Sequence, residues 1–338
     1  MRIVRGIYRY PIKGLSPQPV RGIALEAGKP FPFDRVFALA RPGVPVDPDA
    51  PRWAKKGFFV MLMLDNALAR VQTHLDIETM QLTVLRRSAS SPADSSRTES
   101  VLSADLSTKH GRAAVEAFIQ TQVPLQEAPK LLHAPDGHFM DKPDNVMSCI
   151  NLATVRSLEK EWGVAIDPLR FRANFYIDGV EPWREFDWIG SDITLGDALF
   201  RVDRRNGRCG ATNVNPATGE RDLDIPGSLR RTFGHKDLGI YLVARTSGKV
   251  VVGDPVAVSD PATSSYDALP SAQGGTPEQH SYICRGCYYI FDELKGGPGI
   301  AAGIPFASVK DDWRCPDCGT EKANFRPYAD ELAEAKRA

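Results

Sequence analysis

The chain has 338 residues, 25% of them charged and 42% hydrophobic, which is material for two or three globular domains with sizeable cores. Lys+Arg and Asp+Glu are both 42, so the net charge is zero and neither nucleic acid nor a charged membrane surface is a bulk-charge partner. No apolar run of signal-peptide length opens the sequence, and the longest, Gly57–Leu64, falls far short of the roughly 20 residues of a spanning helix. The expectation is a soluble, cytoplasmic protein with no membrane partner.

In chain order, short segments rich in β-branched and aromatic residues come first: Ile3–Tyr8, Gly22–Leu25, Val36–Ala40, Arg70–Leu75 and Gln81–Leu85. Pro/Gly clusters such as Lys29-Pro-Phe-Pro separate them. The Ser/Asp/Arg-rich stretch from Ser88 to Ser107 reads as a long surface loop, and Gly111–Gln122 as a helix. A second helix, Leu152–Trp162, has Leu152, Val155, Leu158 and Trp162 on one face. Strand-like runs follow at Phe175–Ile177, Trp188–Ile193, Ala198–Val202, Ile240–Val243, Val250–Val252 and Val256–Val258. The expected fold class is mainly β with some α: two β-barrel-like domains and a small metal module. No Gly-rich dinucleotide or P-loop motif occurs. The expected boundaries are 1–122, 123–259, a linker over 260–280 rich in Pro, Gly, Ser, Ala and Thr, a module over 281–330, and a tail over 331–338.

Six cysteines are too few for a disulfide scaffold in so long a chain. Four form two C-x-x-C pairs, Cys284/Cys287 and Cys315/Cys318, a set of thiolates that suits zinc or iron. Around them stand Tyr282, Tyr289, Phe291, Phe306, Trp313 and Phe325, together with Asp312-Trp-Arg-Cys-Pro-Asp-Cys-Gly. This module resembles rubredoxin, which implies one iron ion held by Cys284, Cys287, Cys315 and Cys318 and cycling one electron at a time. An aromatic shell would keep water from such a centre. Rubredoxin knuckles normally carry glycine after the second cysteine of each pair; Gly319 fits and Tyr288 departs.

Cys209 lies just after Arg201-Val-Asp-Arg-Arg-Asn-Gly-Arg, surroundings that favour a thiolate. Phe171-Arg-Ala-Asn, the Cys209 region through Pro216-Ala-Thr-Gly-Glu, and Phe233-Gly to Gly253-Asp-Pro-Val resemble the MOSC domain. Tyr10-Pro-Ile-Lys-Gly and Phe33-Asp-Arg look like the β-barrel domain that precedes MOSC in the amidoxime-reducing proteins. The resemblance implies a molybdenum–molybdopterin cofactor with Cys209 as the protein ligand of molybdenum and the catalytic residue. It assigns Lys13 and Arg35 to the cofactor phosphate, Arg172 and Asn174 to the pterin loop, and Arg208 and Thr212 to the flanks of the ligand. Two departures are Gly14, where relatives carry a hydroxyl residue, and Asn215, where the family usually has Asp. The implied activity is reduction of N-hydroxylated or N-oxide-like compounds, with electrons relayed by the iron from an NAD(P)H-dependent flavin reductase. A sulfur carrier using a Cys209 persulfide, and a cofactor-binding electron-transfer protein without its own substrate, are the alternatives.

Overall fold

The computed structural model describes residues 1–87, 98–259, 280–285, 289–316 and 319–330. The fold is mostly β with some helix. Its main body is an eight-stranded sheet built from β1 (Ile3–Arg9), β2 (Gln18–Val20), β9 (Met147–Asn151), β10 (Phe175–Asp178), β11 (Asp192–Leu195), β12 (Ala198–Gly207), β13 (Asp237–Ala244) and β15 (Val256–Val258). The order is β15-β11-β12-β13-β9-β10-β1-β2. Past the end of β2, the start of β1 bonds the segment leading into β15: Val4 N–H donates to Asp254, Gly253 N–H to Val4 and Val256 N–H to Arg2. The sheet is thereby tied back on itself. Inside it lies a core including Ile7, Met147, Phe175, Phe200, Val202 and Leu242.

Ladders cross the boundary expected at residue 122. β1 pairs β10, β3 (Gly22–Leu25) pairs β14 (Gly248–Val251), and β4 (Phe37–Ala40) pairs β8 (Lys130–His133). The remaining strands of the first part, β5 (Gln72–Leu75), β6 (Gln81–Arg87) and β7 (Thr98–Asp105), form their own meander. Helix α1 (Lys109–Gln122) buries Val115 and Ile119 in the core that this meander shares with Ile12, Phe37 and Leu68. Thr108 caps it by accepting from Gly111 N–H.

Three sequence expectations change. Residues 98–105, read as part of a loop, are β7; their serines face outward, where Ser103 accepts from Gln81, while Ala104 is buried. Residues 88–97 of that expectation lie outside the described residues. The run Trp188–Ile193 is not one strand: a 3-10 turn over Arg184–Trp188 ends before Gly190, whose φ of 80° breaks the chain ahead of β11. Helix α3 (Ile225–Phe233) went unread, although Asp224 caps Gly227 and Gly234 closes it in the left-handed region.

The C-terminal module is a three-stranded sheet of β16 (Ser281–Cys284), β17 (Ile290–Asp292) and β18 (Phe325–Pro327). Its core is Phe291, Phe306 and Val309, with Tyr282, Tyr289, Trp313 and Phe325 packed around them. The six aromatics singled out in the sequence are all in this cluster, Phe306 and Tyr282 stacked at 4.4 Å. No helix among the described residues is long and apolar enough to cross a membrane.

Candidate functional site

A cavity of about 440 Å³ opens between the main sheet and the first part of the chain. Ten Lys or Arg side chains line it against a single acid, Asp141. Of the seven residues assigned to the cofactor from sequence, Lys13, Arg35, Arg172, Arg208, Cys209 and Thr212 line the cavity and Asn174 does not.

The arginine supply comes from β12, and bulges decide its direction. Strict alternation would send Arg204 and Arg205 to opposite faces. The register slips between Val202 and Arg204 and again between Arg205 and Gly207, and both side chains line the cavity. Arg201, before the slips, pairs with Asp192 at 3.0 Å on another face. At the strand end the chain turns, and Cys209 sits half-buried ahead of a short 3-10 turn over Gly210–Asn213. Thr212 fastens that turn, its N–H and its hydroxyl both donating to Cys209 O, at 3.0 and 2.9 Å. Arg208 is buried and gives its guanidinium to the backbone, Nε to Leu238 O at 2.7 Å and Nη1 to Phe171 O at 3.0 Å. Burial draws its pKa down. Its role is to lock the loop below Cys209 to the neighbouring strand. Gly239 makes room for it: a Cβ there would meet Cys149 O at 2.4 Å and Arg208 Nη2 at 3.1 Å.

Arg35 and Arg172 form a second cluster. Each guanidinium lies 4.3 Å from the centre of the Tyr10 ring. Both residues hold left-handed backbone, φ 53° and 49°, a conformation that costs a non-glycine residue roughly 1–2 kcal/mol. Arg35 donates to Asp34 and to Arg172 O, and Arg172 Nη1 donates to Leu15 O at 2.8 Å. Burial opposes the charge of Arg35, and Asp34, Tyr10 and Asp141 together more than restore it. Burial and then the neighbouring Arg35 pull Arg172 down to about 10. Arg172 Nη2 is buried without a hydrogen-bond partner among the described residues. A cation pair with a buried donor to spare suits an anionic ligand.

Lys13 is buried and already engaged, donating to Phe139 O at 2.8 Å and to Asp141 at 2.5 Å. Burial lowers its pKa and Asp141 raises it. Burial works against the Asp141 carboxylate, but Lys13 and Lys56 hold it well below the usual range. Gly14 beside it has φ +86°, and a Cβ would meet Leu68 Cδ1 at 3.1 Å, so the backbone asks for glycine where a hydroxyl residue was compared.

Asn174 is fully buried and structural. It accepts from Ser148 N–H and donates to Tyr8 O, joining β9, β10 and β1 below the cavity. Asn215 forms an Asx turn with Ala217 and Thr218 N–H, and its amide donates to Asp222 at 2.7 Å. Sequence reading missed Tyr10, Lys56, Asp141 and Arg170, whose signal is spatial: they come from four separate segments. Cys149 is buried on β9, where burial raises its thiol pKa.

In the C-terminal module the two knuckles close alike. Cys284 N–H donates to Tyr289 O at 2.9 Å and Cys315 N–H to Thr320 O at 2.8 Å, each five residues on. Gly319 has the expected left-handed φ of 73°. Cys287, Tyr288 and Cys318 lie outside the described residues. Cys284 and Cys315 are buried in one cluster with Met61 and Met63, and Cys209 and Ala211 pack against the same cluster.

These features define a cationic cavity with a thiol at its edge, joined to a thiolate iron module for electron transfer. Residues 136–257 match the MOSC domain and residues 281–325 match rubredoxin, so the chain carries a MOSC domain followed by a rubredoxin domain. Rubredoxin 3 of Rhodococcus erythropolis is 54% identical over 50 residues, 14% of this chain and 82% of that one. Molybdenum cofactor sulfurase of Drosophila mojavensis is 36% identical over 94 residues, 28% of this chain and 12% of that one. The crystal structure of YiiM from Geobacillus stearothermophilus is similar at 18% identity and TM-score 0.29, over 35% of this chain and 56% of that one. This chain thus spans little more than half of YiiM and about an eighth of the sulfurase. The YUAD protein of Bacillus subtilis is similar at 13% identity and TM-score 0.34, over 76% of this chain and 94% of that one.

Proposed function

We propose that the chain is a molybdenum-cofactor-dependent oxidoreductase that reduces N-hydroxylated or N-oxide-like substrates, with electrons relayed by the rubredoxin iron. The observation that carries this reading is the convergence on Cys209: it lines the cationic cavity and packs against the apolar cluster of Met61, Met63 and the iron-site cysteines Cys284 and Cys315. The donor set suits a phosphate-bearing pterin with a soft metal. Arg172 brings an unpartnered buried N–H, Arg35 and Lys13 flank it, and Cys209 offers sulfur.

When bound, molybdenum supplies two-electron, oxygen-atom chemistry at an open position. The chain holds and orients. Cys209 presents its sulfur from a loop that Thr212 and Arg208 immobilise. Lys13, Arg35 and Arg172 neutralise the phosphate, and Asn174 keeps the underlying strands in register. The overall change takes an N–OH compound, two electrons and two protons to the N–H product and water. Cys284, Cys287, Cys315 and Cys318 would hold the iron, which would supply one electron at a time, so that two transfers serve each turnover. A separate NAD(P)H-dependent flavin reductase, in the same cytoplasmic compartment, re-reduces it.

The half-buried Cys209 thiol and the similarity to molybdenum cofactor sulfurase favour a second reading, a Cys209 persulfide carrier. Metal and pterin analysis of the purified protein, with an assay on an aryl amidoxime, separates the two. Molybdenum, pterin and iron in equal amounts with turnover support the reductase. Sulfane sulfur on Cys209 without molybdenum overturns it.

A further inference from the structure

The segment Phe59–Met63 is strongly apolar and buried, yet it is neither a strand nor a helix. Such a run needs cover from more than its own domain. Val60 and Leu62 belong to the core shared with α1, Leu62 also reaching the cavity, whereas Met61 and Met63 line the cavity and pack with Cys284 and Cys315. The rubredoxin thus meets the body through Cys284, Cys315 and Gly319. The second knuckle lies against the turn before the segment: a Cβ on Gly319 would stand 3.0 Å from Gly57 Cα. Tyr289 and Phe325 continue the contact into the aromatic core of the module. One side chain ties the parts together. Arg221 Nη2 donates to Met63 O at 2.6 Å and Nη1 to Gly210 O at 3.3 Å, next to Cys209.

We propose that the rubredoxin domain docks by its knuckles on the Met61–Met63 segment, which forms the electron contact between the iron and Cys209, with Arg221 as the positioning residue that fixes this segment to the Cys209 loop. The proposal rests on the reading of Cys209 as molybdenum ligand. Electron tunnelling weakens steeply with distance, so the useful geometry is the one that brings the thiolates of both sites onto a single packed cluster. Two thioethers supply polarizable, adaptable packing there. Their apolar cover keeps water from the iron thiolates, which bears on the iron's potential. Each transfer oxidises Fe(II) to Fe(III) and delivers one electron, and a reduced flavoprotein restores the iron.

The test uses the full-length, cofactor-loaded protein and the variants Gly57→Trp, Arg221→Met and Arg221→Lys. Small-angle scattering reads docking. Visible absorbance reads recovery of oxidised iron when an aryl amidoxime is added to anaerobically pre-reduced protein. Gly57→Trp should wedge the domains apart, raise the radius of gyration and slow iron recovery at least tenfold. Its turnover with a small viologen reductant should stay within twofold of wild type. Arg221→Met should slow recovery with scattering and iron potential unchanged, and Arg221→Lys should restore part of the rate. An extended wild-type particle, or wild-type recovery rates in Gly57→Trp, would overturn the proposal. Absence of turnover with any reductant in wild type would instead overturn the molybdenum reading, with docking still decided by scattering.

Discussion

At the residue scale, Asn215 shows why a departure from a family pattern can be required by its surroundings. Its carbonyl accepts from Ala217 and Thr218 and its amide donates to Asp222, which itself holds Arg170. An aspartate would keep the turn but set a carboxylate against Asp222. Asn215→Asp should therefore destabilise the protein by about 1 kcal/mol at neutral pH, and the loss should shrink once acid protonates one carboxyl. Equal denaturation midpoints for variant and wild type at pH 7 would remove this account. The paired cysteines stand out in the sequence by residue type and spacing, whereas the role expected of Cys209 rests on the family resemblance. Asn174 was read as a cofactor residue, yet its hydrogen bonds go to Ser148 and Tyr8. Nothing in the string distinguishes an amide aimed at a ligand from one aimed at the backbone.

At the element scale, the segment from His138 to Asn145 builds one cavity wall, since Lys13 is held there by Phe139 and Asp141. His138 Nδ1 accepts from Met140 N–H at 3.2 Å, and Nε2 faces Asn145 Oδ1 at 3.3 Å. That pattern needs the neutral ring with its proton on Nε2. Burial lowers its pKa accordingly. With the folded value below the unfolded one, the unfolded chain takes up the proton first. The contribution is complete above the unfolded value of about 6.5 and is lost as pH falls from there through the folded value. His138→Asn keeps an acceptor for Met140 and cannot titrate. Its stability should fall less than that of wild type between pH 7.5 and 5.5, as read by urea midpoints. Parallel falls would contradict the assignment. Periodicity exposed α2 (Leu152–Trp162), whose Val155 and Leu158 are buried. It also found the helix α1, but α1 buries Val115, Glu116 and Ile119 while Ala113 and Ala117, expected on its inner side, are exposed. It missed β9, fully buried on both faces, because continuous burial leaves no alternation to read.

At the scale of the whole molecule, the sequence marks off a metal module after a linker-like stretch, but is silent on where that module sits. Its place follows from apolar surface: the longest apolar run in the chain, noted first only as too short for a membrane, is the floor on which the knuckles rest. The proposed function requires that electrons pass from the iron to a centre held by Cys209. The most direct measurement reduces the iron anaerobically, adds an aryl amidoxime and follows the visible iron absorbance in wild type and in Cys209→Ser. In wild type the oxidised-iron spectrum should return, two iron oxidations for each molecule of substrate reduced. In Cys209→Ser the iron should reduce normally and then stay reduced. Recovery at the wild-type rate in Cys209→Ser would contradict the account.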